Sequence, residues 1–530
     1  MDFDVLIIGA GAGGAMTALR LCEQGLKVGL VERGPKFNPQ KDYVQNYPDW
    51  ETRKDPLESA RFPEHTIDVS HRTEYTLNNR TRRRNPFVYH RVHGVGGSTL
   101  HYQGEAHRFP EHAFNQFSKF GWGLDWPINY QDLEPYYEQT EQLLGVAGDP
   151  KNPHKVKRGS YPTPAHPLSV RSQWLAEAAT KAGMTLLPNP LALPSKSLDG
   201  RLPCQHSGGC NFGCVFGAKS SVDQAIIPRA EKTGNLTLIT EHRVHRLLSS
   251  KKGTISGLQI SSKDNSKQTL TAKKYVLAAG AIETPRLMLA SDLPNPHDQI
   301  GRYFMETITV WHFFSAPIDF RVHRGPPLDS RIWDFCYPQD TDTGGFVLGS
   351  AGYLYPRTGP AGHARRQNGF GRAHKQKVRE TFAKEVYLFG IGEQEPRADN
   401  RVLLSQHKDP KGERKVKIQS VYSKRDINTI KQIGERLNQW QQQIPNSKYD
   451  GQQSSLTRPS STHVGGTCRM GHDPSNSVVD AFGKVHAIDN CYVTDASVLN
   501  TQGAGDSPSL TIQALALRTA DSIASAFKEE

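Results

Sequence analysis

The sequence predicts an α/β fold: a parallel sheet flanked by helices, into which a second, α+β domain built on an antiparallel sheet is inserted. Three observations carry this. Residues 4–34 (DVLIIGAGAGGAMTALRLCEQGLKVGLVERG) run as apolar strand, glycine turn, helix and second strand. A further apolar strand, Tyr275–Ala279, leads through Gly280 into another helix that runs toward Ser291. Residues 303–450 then change character, rich in Phe, Trp, Tyr, Arg and Gln with long loops, before glycine-rich turns return from Ser461.

The first unit is the most informative. Val5–Ile8 is a short apolar run without helical period, as suits a parallel strand buried on both faces. Gly9, Gly11 and Gly14 follow as G-x-G-x-x-G. The first allows a tight turn, the second lets backbone approach a pyrophosphate, and the third lets helix and strand close up. The helix over Gly13–Gln24 then points its unpaired N–H groups and positive dipole end at that pyrophosphate. Gly25 ends it, Lys27–Val31 reads as the second strand, and Glu32 stands at that strand's end beside Arg33. A carboxylate there accepts hydrogen bonds from ribose hydroxyls and repels a ribose phosphate, which favours FAD or NAD over NADP. An isolated glycine turn before an ordinary helix is the alternative. The in-register strand, helix, second strand and acid favour a Rossmann-like dinucleotide-binding unit.

Residues 35–93 are polar and proline-rich, which suits a lid over the cofactor. The turn His93–Leu100 (HGVGGSTL) is a second place where backbone can approach the cofactor, through Gly94, Gly97 and Ser98. Ser169–Ala182 has helical character, and 235–240 and 244–247 read as strands. Ile427–Gln443 and Leu510–Phe527 read as amphipathic helices. The expected organisation is a discontinuous cofactor domain, 1–302 with 455–530, and an inserted substrate domain, 303–454.

A chain of 530 residues can bury a large core. Its net charge of +12 is spread along the sequence, apart from Arg80–Arg84 and a looser cluster at Arg365–Lys377. Neither is interleaved with aromatics, so no nucleic-acid partner is expected. No apolar run is long enough to cross a bilayer. The first strand starts within four residues of Met1, leaving no room for a signal peptide. The expectation is a cytoplasmic protein; the alternative is a periplasmic or membrane-associated one, exported with a partner subunit.

The N-terminal unit, the HGVGGST turn, GAIETPRLMLAS and the C-terminal THVGGTCRMG…YVTDASVLNTQGAGDSPSLTIQALALRTAD together resemble the glucose–methanol–choline (GMC) oxidoreductases, nearest to gluconate dehydrogenase-type flavoprotein subunits. The resemblance implies FAD, a fold like that of other GMC and PHBH-type flavoproteins, and alcohol oxidation, in which a base takes the hydroxyl proton while hydride passes to the flavin. It assigns the base to His463. At the place where the family sets a second His or an Asn, this chain has Ser507, preceded by Asp506. Serine donates a hydrogen bond but cannot act as a base. Either Asp506 reaches in instead, or both residues merely cap the helix that opens at Pro508. The resemblance also sets Ala279, Asp495, Ser507 and Pro508 beside the flavin and Val244 against the adenine.

Seven cysteines are too few for a disulfide scaffold. Three of them, Cys204, Cys210 and Cys214, form C-x5-C-x3-C in a glycine-rich loop over 204–219. Convergent thiolates suit iron–sulfur chemistry. Similar stretches in some family members imply a three-iron, four-sulfur (3Fe-4S) cluster; zinc with His206, or free thiols, stay open. With a cluster, electrons would pass to a protein acceptor, a cytochrome c, in company with a small subunit; without one, oxygen or a quinone becomes the oxidant. A flavin-binding subunit that has lost turnover is a third reading. The expected substrate is a sugar, polyol or related secondary alcohol. Trp311, Phe313, Phe314, Trp333 and Tyr353 are the aromatics that could stack on it, or they are core residues.

Overall fold

The computed structural model describes residues 2–529, apart from 44–45, 50–73, 78–79, 82–87, 90–91, 155–158, 251–252, 263, 321–323, 339, 352–358, 409–411, 457–459 and 462. Most of the expected lid, most of the Arg80–Arg84 run and Tyr353 lie outside the described residues.

Five parallel strands form the first sheet, in the order Cys491–Val493, Ala272–Leu277, Phe3–Ile8, Val28–Val31, Leu236–Ile239. Their centres are Val, Ile and Leu because both faces are covered: Val5, Leu6, Ile7, Val28, Leu30, Val276 and Leu277 are all buried. Helix Ala12–Glu23 packs against helix Ser509–Glu529, where Ala15, Ala18, Ala514 and Ala516 are buried. The early unit thus joins the last helix of the chain, with residues about 490 positions apart in one core. A three-stranded antiparallel sheet, Arg243–Ser249, Ile255–Ser261 and Lys267–Leu270, carries Val244.

The second large sheet is antiparallel and six-stranded: Lys448–Ser454, Thr307–Ser315, Glu385–Glu393, Phe346–Ala351, Ser330–Ile332 and Leu187–Pro188. Its last strand comes from outside 303–454. Helix Lys424–Gln442 covers one face with Ile430, Ile433, Leu437 and Trp440, and starts at a capping box between Ser423 and Asp426. Gly390 makes that approach possible, since a Cβ there would stand 2.2 Å from Ile433 Cγ2. On the opposite face Trp311 stacks on Phe389 at 4.8 Å between ring centroids. Phe314 lies on the helix side, in the core. This is the α/β architecture with an antiparallel companion sheet that the sequence predicts.

Candidate active site

The glycine turns build a cradle. Gly9 has φ +101°, and a Cβ on it would meet Ala278 O at 2.5 Å. A Cβ on Gly13 would fall 1.6 Å from Thr494 O, and one on Gly14 would fall 2.0 Å from Gly9 O. The helix therefore lies on the strand ends with no room for side chains between. At Gly11 the space is open: nothing lies within 4 Å of where a Cβ would stand. Gly11 is the N-cap of Ala12–Glu23, and this helix has no side-chain cap and no acid in its first turn. No side-chain cap or acid of this helix thus competes for its N-terminal N–H groups, as an anion-binding end requires. From the second turn, a Cβ on Gly97 would be 2.9 Å from Gly11 Cα, so the two glycine turns touch; Ser98 beside them is exposed. A Cβ on Gly94 would strike the Phe37 ring at 2.4 Å.

Glu32 closes the edge of the cradle. Its two carboxylate oxygens accept the N–H groups of Ala10 and Gly34, each at 2.9 Å, and burial pulls its pKa up. Arg33 reaches His93 Nε2 at 3.4 Å. Asp495 accepts the Gly280 N–H at 2.8 Å and the Thr284 hydroxyl at 2.5 Å, tying the end of the last strand to the turn after Ala279. These residues fit the adenine dinucleotide part of FAD: the cradle is open, lined by backbone donors and edged by a carboxylate.

The same segment positions His463. Thr494 and Asp495 meet the cradle, and Ala496 O accepts the Gly466 N–H at 3.2 Å. Gly465 exchanges both backbone hydrogen bonds with Met305, at 2.9 and 3.0 Å, which clamps the loop against the antiparallel sheet. Burial pushes the His463 imidazole down to about 4, with Glu105 opposing and His107 and Arg331 adding to the shift. The ring is neutral at physiological pH, the state in which a nitrogen accepts a hydroxyl proton.

Around it lies a buried polar cluster that the sequence did not reveal. Glu105 forms an ion pair with Arg331, and both are buried. Burial pulls the Glu105 carboxyl up, but Arg331 and then His107 overrule this and hold it below the usual range. His107 Nδ1 lies 3.0 Å from Asp506 Oδ1 and accepts the Ser507 N–H at 3.2 Å. Trp333 donates its indole N–H to Asp506 Oδ1 at 3.0 Å, and its ring meets His107 edge-on. Trp333 is therefore part of this cluster and fully buried, not a stacking surface. The Asp506 carboxylate faces His107 and accepts from Trp333, and the Ser507 backbone is held by the same imidazole ring.

The three cysteines are brought near one another: burial pushes the Cys210 thiol up to about 12, opposed by Lys219 and aided by the neighbouring Cys204 and Cys214. Lys219 sits among them, buried, donating to the carbonyls of Leu100, Tyr102 and Cys210 at 2.7, 3.1 and 2.8 Å. Among the described residues, however, no group of three His, Cys, Asp or Glu side chains is placed to hold a metal ion. The geometry does not fit the expected 3Fe-4S cluster, nor zinc with His206. Spacing along a glycine-rich loop does not dictate that the thiols converge on one point, and the buried Lys219 donates to the Cys210 carbonyl beside them. Cys468 is a core thiol 3.7 Å from Met288 Sδ.

Known proteins share this construction. The sequence profiles described as GMC oxidoreductase match residues 3–308 and 396–516. The 6'''-hydroxyparomomycin C oxidase of Streptomyces lividus is 30% identical over 99% of this chain and 91% of its own. The fructose dehydrogenase large subunit of Gluconobacter japonicus is 28% identical over 100% of this chain and 99% of its own. A crystal structure of pyridoxine 4-oxidase from Mesorbium loti superposes with a TM-score of 0.66 over 98% of this chain and 99% of that one, at 20% identity. Among the described residues no helix is long and apolar enough to cross a membrane. The chain belongs to the GMC oxidoreductases, FAD-binding enzymes that act on alcohol groups.

Proposed function

We propose that this protein is a dehydrogenase that oxidises an alcohol carbon of a sugar, polyol or related secondary alcohol, with His463 as the base. The observation that carries this reading is the neutral, clamped imidazole tied through 494–496 to the dinucleotide cradle. Bound in that cradle, FAD supplies the acceptor for the hydride that leaves the carbinol carbon. His463 receives the hydroxyl proton, while the loop that carries it is fixed at Gly465 and Gly466 so that the ring need not reorganise. Ser507 and Asp506 stand on a turn held by His107, which itself acts on His463.

The second part of the reading is a protein electron acceptor, a cytochrome c, reached in company with a small subunit. It is supported by a relative named as a large subunit. No electron step is assigned to Cys204, Cys210 and Cys214; iron and sulfide assays on protein purified without oxygen test that loop directly. The competing acceptor is oxygen, favoured by the relative named as an oxidase. Anaerobic mixing with a panel of sugars, polyols and simple alcohols tests the first part: the flavin band must bleach with at least one. Oxygen uptake with that alcohol alone then separates the acceptors, since fast stoichiometric uptake overturns the dehydrogenase reading.

A further inference from the structure

The looser basic cluster of the sequence folds into a feature that the chemistry above does not use. Two helices, Pro360–Arg366 and Gly371–Thr381, lie in the connection between strands Phe346–Ala351 and Glu385–Glu393. Phe346 pairs with Gly392 and Ala351 with Tyr387, so these helices stand at the end of the sheet opposite Glu393, whose carboxylate accepts the Ala504 N–H at 3.3 Å. Lys448 and Tyr449, both exposed, mark the same end, since Ser315 pairs with Glu385 on one side and Lys448 on the other. Helix Gly371–Thr381 buries none of its residues. His374 and Val378 form its half-buried side; Arg372, Lys375 and Arg379, at i, i+3 and i+7, form an exposed stripe opposite. Lys377 and, on the preceding helix, Arg365 are exposed too. Among the described residues none of these five cations pairs with an acid, and the single acid of the helix, Glu380, accepts from Gln376 at 2.6 Å. Elsewhere on the surface Arg229, Arg246 and Arg397 each pair with an aspartate. Like charges four residues apart, as at Lys375 and Arg379, weaken a helix, so the stripe does nothing for folding. At the head of this helix Phe370 stands between Gly369 (φ +120°) and Gly371 (φ +70°) and is 91% exposed.

We propose that this stripe and Phe370 seat the protein on an anionic phospholipid surface, with the cations against the headgroup phosphates and the Phe370 ring in the boundary between headgroups and acyl chains. Size argues for lipid over a protein partner. A helix of 11 residues is about 16 Å long and, with side chains, about 10 Å wide. Its outer face therefore offers on the order of 200 Å², far short of the ~800 Å² per partner that a stable protein interface buries. A bilayer presents its negative charge as a continuous plane and needs no matching pocket, and it accepts a single projecting ring flanked by glycines. The net charge of +12 adds to the attraction. Seated in this way, the protein keeps the sheet end that bears Glu393 and the turn Gly503–Gly505 away from the lipid.

The test is co-sedimentation of the full-length, flavin-loaded protein with sucrose-filled vesicles, either phosphatidylcholine alone or an equimolar mixture with phosphatidylglycerol. The protein should pellet with the mixed vesicles, stay in solution with the neutral ones, and be released from the former by about 0.5 M salt. Each cation near such a surface strengthens binding about fivefold, so the triple variant Arg372→Gln, Lys375→Gln, Arg379→Gln should bind about 100-fold more weakly. Phe370→Ser should cost about tenfold. Both should keep their flavin, read from absorbance. A control triple variant, Lys196→Gln, Lys232→Gln, Lys267→Gln, removes three exposed cations from elsewhere and should change binding less than about threefold. Equal binding to the two kinds of vesicle, or equal losses in the two triple variants, overturns the proposal. So does failure to bind the mixed vesicles; retention on immobilised poly-L-glutamate that only the stripe variant then loses would assign the stripe to an acidic protein instead. If the stripe variant does not fold, Phe370→Ser decides, since unchanged affinity there rejects a seat in the bilayer.

Discussion

The dinucleotide cradle and the cluster around His107 are both buried and both assembled from several chain segments, but they are made of opposite materials. The cradle is backbone: three glycines, two turns in contact, a helix end and one carboxylate. The cluster is side chain: Glu105, His107, Asn189, Arg331, Trp333, His463 and Asp506, each hydrogen-bonded to or electrostatically acted on by another. Backbone can be shaped to fit a ligand by omitting side chains, so at Gly9, Gly13 and Gly14 the cradle tolerates nothing added. The cluster balances charge in a place with little water, so it tolerates nothing removed.

The largest expected effect is a single methyl group in the cradle. Gly13→Ala drives a Cβ to within 1.6 Å of Thr494 O, a backbone atom that cannot swing aside. Overpacking of a core typically costs about 1–3 kcal/mol, and here it displaces the segment bearing Asp495 as well. The variant should retain less than roughly a tenth of the flavin, read from the ratio of 450 to 280 nm absorbance. Normal flavin loading would show that the contrast between the two regions is misdrawn. Second in size is His463→Ala, which should leave flavin content intact and slow anaerobic flavin reduction about 100- to 10,000-fold, the range for loss of a general base. A loss under tenfold would move the base elsewhere in the cluster.

The contrast also explains what could be read in advance. Each cradle glycine answers a local requirement, so the motif 9–14, the second turn at 94–98 and the acid at 32 are legible within short windows. His463 is read differently: its role comes from the resemblance of the run Thr462–Cys468 to the GMC oxidoreductases, not from a local requirement of its own. His107 and Arg331 carry no such signature. Arg331 meets Glu105 only because the strand Ser330–Ile332 pairs with Leu187–Pro188, a pairing that joins the sheet to a strand outside its expected span. Whether Asp506 caps a helix or enters the active centre stayed open in the sequence. Where its carboxylate is held depends on Trp333 and His107, which come from segments 173 and roughly 400 residues away. The thiols of 204–214 run in the opposite direction: a local pattern suggested a metal centre, and among the described residues no group of three His, Cys, Asp or Glu side chains is placed to hold one.

A third test removes one charge from the cluster. Arg331→Leu leaves the Glu105 carboxylate buried without its partner and should cost about 3–5 kcal/mol of stability in urea unfolding; replacing both, with Glu105→Leu, should recover much of it. Equal losses in the single and double variants would mean that the pair is not what balances the site.

The smallest effect is the most specific to the cluster. The His463 ring titrates near 6.5 when unfolded and at about 4 when folded. A histidine whose folded value is depressed binds protons more readily in the unfolded chain, so stability is fully present above pH 6.5 and is lost as pH falls from 6.5 toward 4. By pH 5 this amounts to roughly 1–2 kcal/mol. His463→Gln cannot take up that proton, so its unfolding free energy should fall less than the wild type's between pH 7.5 and 5, by that amount. A cradle substitution, which adds no titrating group, should shift the whole curve without changing its slope. If His463→Gln and wild type give parallel curves, the imidazole is not desolvated as the structure places it. The division between a site made of absences and a site made of charges would then fail at its central residue.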